Sequence, residues 1–188
     1  MLASASPRRR ELLEGLGLRF EVRPAKIDES TGSGESAHAY VQRLAVEKAR
    51  SIAARNPEAL VLGADTVVVL DREILGKPKD PSEAKQMLRR LSGRAHTVLT
   101  AIAVCGPIEE ATVVSTRVQF RTLGDEEIDW YVKTKEPFDK AGAYAIQGIG
   151  SFLVQRIEGS FSNVVGLPLA ETLQMLGRAG MEFPWSPR

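Results

Sequence analysis

The chain has 188 residues, 43% hydrophobic and 26% charged, enough for one hydrophobic core and too few for two full-sized domains of roughly 100 to 200 residues each. Twenty-five Lys and Arg against 24 Asp and Glu leave a net charge of +1, which argues against a polyanion-binding surface, hence against nucleic acid as a partner, and against a solvated disordered chain. No apolar run approaches the roughly 18 residues of a membrane span, and Met1-Leu2-Ala3-Ser4 at the start has no signal-peptide core, so neither a membrane nor export is expected.

Apolar runs of strand length alternate with segments of helical period, without internal repeats, which predicts an α/β fold. In chain order the pattern predicts a short strand near residues 1–5, a helix over 7–16, a strand at 19–23, a helix over 37–55 and a strand at 59–70. Gly32-Ser33-Gly34 reads as a flexible loop before the second helix. Asp71-Arg72-Glu73 turns into Ile74-Leu75, and Asp80-Pro81-Ser82-Glu83 gives N-cap, N1 proline and capping-box Glu to a helix that runs to Leu91 and stops at Gly93. A strand near 96–105 carries the lone Cys105, whose apolar surroundings point to a buried, reduced thiol and a cytoplasmic setting. A strand near 111–120, a helix over 125–133, strands near 141–146 and 151–157, and a last helix from Pro168 to about Gly177 complete the order. Hairpin-length gaps late in the chain suggest a mixed sheet. The expected organisation is one domain over 1–182, with 183–188 and its two prolines as a loosely held tail.

The first segment with chemical content is Ser4-Ala5-Ser6-Pro7-Arg8-Arg9-Arg10, where Ser6 suits an N-cap, Pro7 suits N1, and Leu12, Leu13 and Leu16 supply the apolar stripe. Three arginines then occupy the positive end of the helix dipole, where each cation is disfavoured by a few tenths to about 1 kcal/mol. An anionic ligand would offset that conflict. Backbone N–H groups, two serine hydroxyls and guanidinium forks form a phosphate cradle, and because residues 8–10 fan over about 200° of helix, at most two of the three face one ligand. The alternative is an exposed basic turn paired with Glu11 and Glu14.

Asp65 sits in the middle of the apolar run Ala59–Leu70. A largely buried carboxylate needs a cation, several N–H donors or a raised pKa, all common at catalytic sites; a structural Asp at a bulge beside Gly63 is equally compatible. A haloacid-dehalogenase site is excluded, because Val67 stands where its second Asp is required. Lys48 falls on the buried stripe of the second helix with Val41, Leu44, Ala45 and Ile52; its alternative is a stem that snorkels to the surface. Lys77, in the proline-stiffened turn Leu75-Gly76-Lys77-Pro78, would hold an ammonium at a sheet edge, or be an ordinary surface lysine. Asp28-Glu29 offers carboxylates to a hard divalent cation. His38 and His96 have no ligand spacing, so zinc has little support.

In this order, Leu2-Ala3-Ser4-Ala5-Ser6-Pro7-Arg8-Arg9, Gly63-Ala64-Asp65-Thr66, Gly76-Lys77-Pro78, Ser92-Gly93-Arg94 and Gly166-Leu167-Pro168 closely resemble the Maf family of nucleotide pyrophosphatases. The resemblance runs from residue 2 to about 177, and Lys135-Glu136-Pro137 with Asp139-Lys140-Ala141-Gly142-Ala143-Tyr144 extends it. It implies an α/β single domain with a long mixed sheet flanked by helices and a cleft between two lobes. The implied activity is hydrolysis of nucleoside triphosphates to monophosphate and pyrophosphate with a divalent cation, Mg²⁺ or Mn²⁺. By matching position, Asp65 resembles the family's catalytic base, and Ser4, Arg9, Glu29, Lys48 and Lys77 its other active-site residues, with Asp65 and Glu29 as candidate metal ligands.

Arg8 after Ser-Pro, Thr66 after the Asp, and Gln147 before Gly148 resemble the dTTP/UTP branch, whose substrates include modified pyrimidine nucleotides, whereas the 7-methyl-GTP branch has Trp, Gln and Glu there. The neutral amide of Gln147 both donates and accepts, which matches the N3–H and carbonyl edge of uracil or thymine. The implied mechanism is attack of water on the α-phosphorus, with Asp65 as base or metal ligand and Arg9, Lys48 and Lys77 countering phosphate charge. A homodimer is suggested by the resemblance alone. The competing class is a nucleotide-binding regulator of septum formation acting through a partner, against which an intact Asp65 and both lysines argue.

Overall fold

Five strands, β1 (Val61–Leu70), β2 (Glu73–Leu75), β3 (Ala95–Cys105), β4 (Glu109–Phe120) and β5 (Val154–Glu158), form one sheet in the order β2-β1-β3-β4-β5 in the computed structural model, which describes residues 1–186. β2 pairs antiparallel with β1 (Val68 opposite Leu75) and β5 antiparallel with β4 (Val118 opposite Ile157). Parallel bridges join Leu2 to Val22 and to Leu62. Helices α1 (Pro7–Glu14), α2 (Ala37–Ala53), α3 (Pro81–Leu91), α4 (Asp125–Lys133), α5 (Phe161–Val165) and α6 (Leu169–Arg178) complete the order, with 3-10 helices at Glu136–Asp139, Ala141–Ala143 and Gly148–Leu153. No helix among the described residues is long and apolar enough to cross a membrane.

The chain gathers into two compact units: the first holds Met1–Asp65, Thr100–Val114 and the chain from Gly166 on, the second Thr66–Leu99 and Ser115–Val165. In the first, Leu2, Leu13, Leu62, Ile102, Leu167 and Leu176 pack into one core. Leu2 serves as a central plank: its N–H donates to the Glu21 carbonyl, its own carbonyl accepts from Arg23, and Ala3 donates to Leu62. In the second, Leu70, Leu88, Leu91, Phe120, Tyr131 and Leu153 form the core. There Asp80 caps α3 by accepting from the Glu83 N–H at 2.9 Å, as its sequence signature requires.

Four expectations need correction. The strands expected at 1–5 and 19–23 contract to single bridges at Leu2 and Val22, because after Ala3 the chain leaves the sheet to begin α1. Residues 141–146 form no strand: Gly142 (φ 68°) and Ala143 (φ 59°) turn the chain, and Gly142 is pressed so close to Val68 that an added Cβ would lie 3.0 Å from its methyls. The strand expected at 151–157 starts at Val154, after the 3-10 helix Gly148–Leu153. The last segment is also better held than a loose tail: Phe183 packs on the first unit's core and stacks on Trp185 at 5.1 Å. Residues 187 and 188 of the expected tail lie outside the described residues.

Candidate active site

In the first unit, a close approach of α2 to β1 builds the site. Gly63 faces α2 with no room for a side chain, since a Cβ there would fall 2.2 Å from the Ala45 carbonyl and 2.8 Å from the Ala49 nitrogen. Side chains alternate along a strand, so Asp65 follows Gly63 on the same face. Lys48, next to Ala49 on the buried face of α2, is thereby carried to it: its Nζ lies 2.7 Å from Asp65 Oδ1. The same ammonium reaches Glu29 Oε1 at 2.6 Å. The lysine and Asp65 side chains are only 10% and 13% exposed, so Lys48 bridges two carboxylates instead of snorkelling.

Glu29 arrives there because its loop is tied to α2. Tyr40 donates to the Glu29 carbonyl at 2.8 Å and Arg43 to the Ser30 carbonyl at 3.0 Å. Arg43 also forks onto Glu35 at 2.7 and 2.8 Å, and Gly32 donates to the same carboxylate. Together these pull Glu35 down to about 2, so the Gly32–Gly34 loop is closed by an ionic clamp. The neighbouring Asp28 is exposed, and its carboxylate accepts from the Ser30 N–H at 2.9 Å.

The three arginines of α1 separate. Arg9 is buried, and its guanidinium donates to the Gly166 carbonyl at 2.8 Å, to Ser4 Oγ at 2.9 Å and to the Ala64 carbonyl at 2.8 Å. It therefore fixes the Ser4 loop against β1 at Ala64, beside Asp65. Arg10 pairs with Glu14 at 2.7 Å on the surface, and Arg8 is half-buried. Ser6 occupies the N-cap without using its side chain as a cap.

Burial raises the Asp65 pKa, against the lowering pull of Lys48 and Arg9. Burial likewise draws Arg9 down while Asp65 holds it up. The net result is a carboxylate that ionises above its ordinary range and is still neighboured by two cations, an environment suited to a general base.

The second unit contains a small pocket of about 100 Å³ between Thr66, Val68, Lys77, Tyr144, Ile146 and Val164. The Lys77 turn is fixed by Gly142 N–H donating to the Gly76 carbonyl at 3.0 Å. Gln147 follows Ile146 directly, in extended backbone (φ −93°, ψ 163°). Behind the pocket wall, the Tyr144 hydroxyl hydrogen-bonds His96 Nε2 at 2.8 Å. Burial holds this histidine neutral, down to about 4. Volume alone would point elsewhere: the first unit also has an apolar cavity of about 430 Å³ among Leu13, Phe20, Leu62 and Leu176, which contains none of the charged cluster.

A family model described as Maf-like protein matches residues 1–179. The chain belongs to the Maf family. Two Maf relatives named dTTP/UTP pyrophosphatase are close in sequence: one from Myxococcus xanthus (strain DK1622), 60% identical over 98% of this chain and 94% of its own, and one from Anaeromyxobacter sp. (strain Fw109-5), 57% identical over 98% and 91%. A solved dITP/XTP pyrophosphatase from Mycobacterium abscessus aligns over 95% of this chain and 93% of its own, at 16% identity and a TM-score of 0.44.

Of the residues expected from this Maf chain's sequence, Ser4, Arg9, Glu29, Lys48 and Asp65 come together in the first unit, and Thr66 and Lys77 line one pocket in the second. Tyr144 and its partner His96 were not anticipated. Tyr144 ends the run Asp139-Lys140-Ala141-Gly142-Ala143-Tyr144, yet nothing in its spacing distinguishes a pocket wall from core, and His96 lies 48 residues away in sequence. The carbonyls of Ala64 and Gly166 that orient Arg9 carry no sequence signal, since every residue has a carbonyl.

Proposed function

We propose that the chain is a nucleoside triphosphate pyrophosphatase acting on dTTP, UTP and modified pyrimidine nucleotides. The observation that carries this reading is Asp65, a largely buried carboxylate held by Lys48 beside Glu29, in a chain whose relatives bear the corresponding name. Asp65 accepts the proton of a water that attacks the α-phosphorus; the α–β phosphoanhydride bond breaks, and pyrophosphate leaves with the bonding electrons. Lys48 and Lys77 counter the charge that moves onto the leaving group. The Ser4 oxygen already accepts from Arg9 and from the Ser6 N–H, which fills its two acceptor positions and leaves its O–H to donate to a phosphate oxygen. Arg9 positions that hydroxyl and neutralises the surroundings of Asp65.

Asp65 and Glu29 are the carboxylates that would hold a divalent cation, being hard oxygen donors close enough to share the Lys48 ammonium. Among the described residues no group of three or more His, Cys, Asp or Glu converges, and in this proposal the ion is Mg²⁺ or Mn²⁺, held by these carboxylates together with substrate phosphate and water. When bound, the ion would withdraw charge from the phosphates.

Thr66 and Gln147 read the base in this proposal, with Arg8 as the third selectivity residue. The test is pyrophosphate release from UTP, dTTP, CTP, GTP and 7-methyl-GTP with and without Mg²⁺ or Mn²⁺, for the wild type and Gln147→Glu. Preference for UTP and dTTP is expected, and the variant should lose roughly ten- to a hundredfold in kcat/KM for them, because a carboxylate then faces a base carbonyl. No turnover of any nucleotide would favour the regulatory module; an unchanged ranking in the variant would withdraw Gln147 as the base reader.

A further inference from the structure

Gln147 stands in a short stretch whose backbone is gripped from both sides by one pair of side chains. On the amino-terminal side, the Ala145 N–H donates to the Tyr131 hydroxyl at 3.3 Å. On the carboxyl-terminal side, the Ile149 and Gly150 N–H groups donate to the Glu136 carboxylate at 3.1 and 2.8 Å. The pair is closed on itself, because Tyr131 donates its own proton to Glu136 at 2.9 Å. A carboxylate accepts well from several donors at once, and such charge-assisted bonds are about twice as strong as neutral ones.

Two glycines let the backbone come this close. A Cβ at Gly148, whose φ is +69°, would lie 2.8 Å from the Glu136 carboxylate, and one at Gly150 would lie 2.5 Å from the Tyr131 hydroxyl. Both anchors are set firmly: Tyr131 is fully buried on α4, and Glu136 follows the turn at Lys135 (φ +66°) that ends α4 and opens a 3-10 helix. Burial and the facing carboxylate both hold the Tyr131 hydroxyl in its protonated, donating form.

We infer that Glu136, with Tyr131, is a specificity-positioning residue: it sets the backbone that aims Gln147, and so governs the choice of nucleobase without touching the nucleotide. The inference rests on the base-reading role proposed for Gln147. The Glu136 carboxylate accepts from the Ile149 and Gly150 N–H groups just after that residue and from Tyr131, which holds the Ala145 N–H before it, and none of these contacts is with the cluster around Asp65. Losing it should blur selectivity while leaving the hydrolytic step intact.

The experiment measures kcat and KM for UTP and GTP in wild type, Glu136→Gln, Glu136→Ala and Tyr131→Phe, with thermal unfolding of each. The UTP-to-GTP ratio of kcat/KM should fall about tenfold in Glu136→Ala, mostly through KM for UTP, with kcat within about twofold. Glu136→Gln, which keeps one amide oxygen as acceptor, should recover part of the ratio. Amide exchange at Ile149 and Gly150 should accelerate in step with the loss. A role limited to stability would lower the unfolding temperature and slow all nucleotides in parallel, and that result overturns the inference. If Glu136→Ala does not fold, Glu136→Gln and Tyr131→Phe decide by the same ratio. An unchanged ratio in folded Glu136 variants, with a changed one in Gln147→Glu, overturns this inference and leaves the base-reading role standing. An unchanged ratio in Gln147→Glu as well overturns both.

Discussion

The two groups of functional candidates are built on opposite principles. In the first unit, charges are packed against one another: Lys48 touches Asp65 and Glu29, and Arg9 is buried on two carbonyls and a serine. In the second, the pocket wall is largely neutral, with Tyr144, Ile146 and Val68 around Thr66 and Lys77. A buried charge is costly unless compensated, so the first arrangement depends on every member and on rigid packing between helix and strand. The second depends on shape and on hydrogen bonds that aim a loop, which leaves room for changes of preference at small cost to stability. Hydrolysis and selectivity should therefore fail separately under mutation.

The severest break in that contrast is Gly63→Ala. With its Cβ 2.2 Å from the Ala45 carbonyl, α2 must move off β1, and overpacking of backbone against backbone should cost about 3 kcal/mol or more. Displacing Lys48 from Asp65 by about 1 Å should also cost about a hundredfold in turnover for all nucleotides alike. Unfolding curves and kinetics with UTP and GTP check both; a variant with wild-type stability would show that the close approach is not what builds the cluster.

Asp65→Asn should lower kcat by at least about a hundredfold with nucleotide binding preserved. Its effect on stability has a definite sign. The folded pKa of Asp65 is raised above 3.8, so its contribution is complete below that value and is lost as pH rises through the folded pKa. At neutral pH the ionised form is thus the less favoured one, and denaturant unfolding of the Asn variant across pH 3 to 7 should lack the fall in stability that this titration gives wild type.

Lys48→Met should lower activity by roughly tenfold or more, as expected for loss of a charged hydrogen bond. A buried lysine amid apolar neighbours would tolerate Met, but here the change leaves Asp65 without its nearest cation, and breaking a buried pair typically costs about 3 to 5 kcal/mol. The acid limb of the pH–rate profile should move to higher pH, because the largest force lowering the Asp65 pKa is gone. Adding Asp65→Asn should restore part of the lost stability. A single variant with unaltered profile and stability would show that the pair is not coupled.

The gentlest probe concerns the second unit. His96 falls from 6.5 to about 4 on burial, so its stabilising contribution is present above 6.5 and is lost as pH falls from there toward 4, by about 3 kcal/mol in all. Denaturant unfolding at pH 7 and pH 4.5 should show this loss in wild type and much less of it in His96→Gln, while turnover at pH 7 changes little. An equal pH dependence in both proteins would remove His96 as its source.

Sequence alone settled what local rules govern. The apolar stripe of α2 was readable from Val41, Leu44, Ala45 and Ile52, the start of α3 from Asp80 and Pro81, and the anomaly of Lys48 and Asp65 from charges standing in apolar patterns. Those signals span a few residues, and helical or strand periodicity fixes where the side chains point. Tertiary structure decided what depends on partners far apart in the chain. Lys48 and Asp65 pair across 17 residues and Arg9 and Gly166 across 157, and the choice between snorkelling and pairing, or between surface turn and buried clamp, lies in those contacts. It likewise decided that 141–146 is no strand: its apolar residues suit one, but the left-handed turn at Gly142 and Ala143 against Val68 is imposed by packing. Composition and period specify what each segment can bury; only the folded chain specifies against what, and a charge or a loop takes its role from that neighbour.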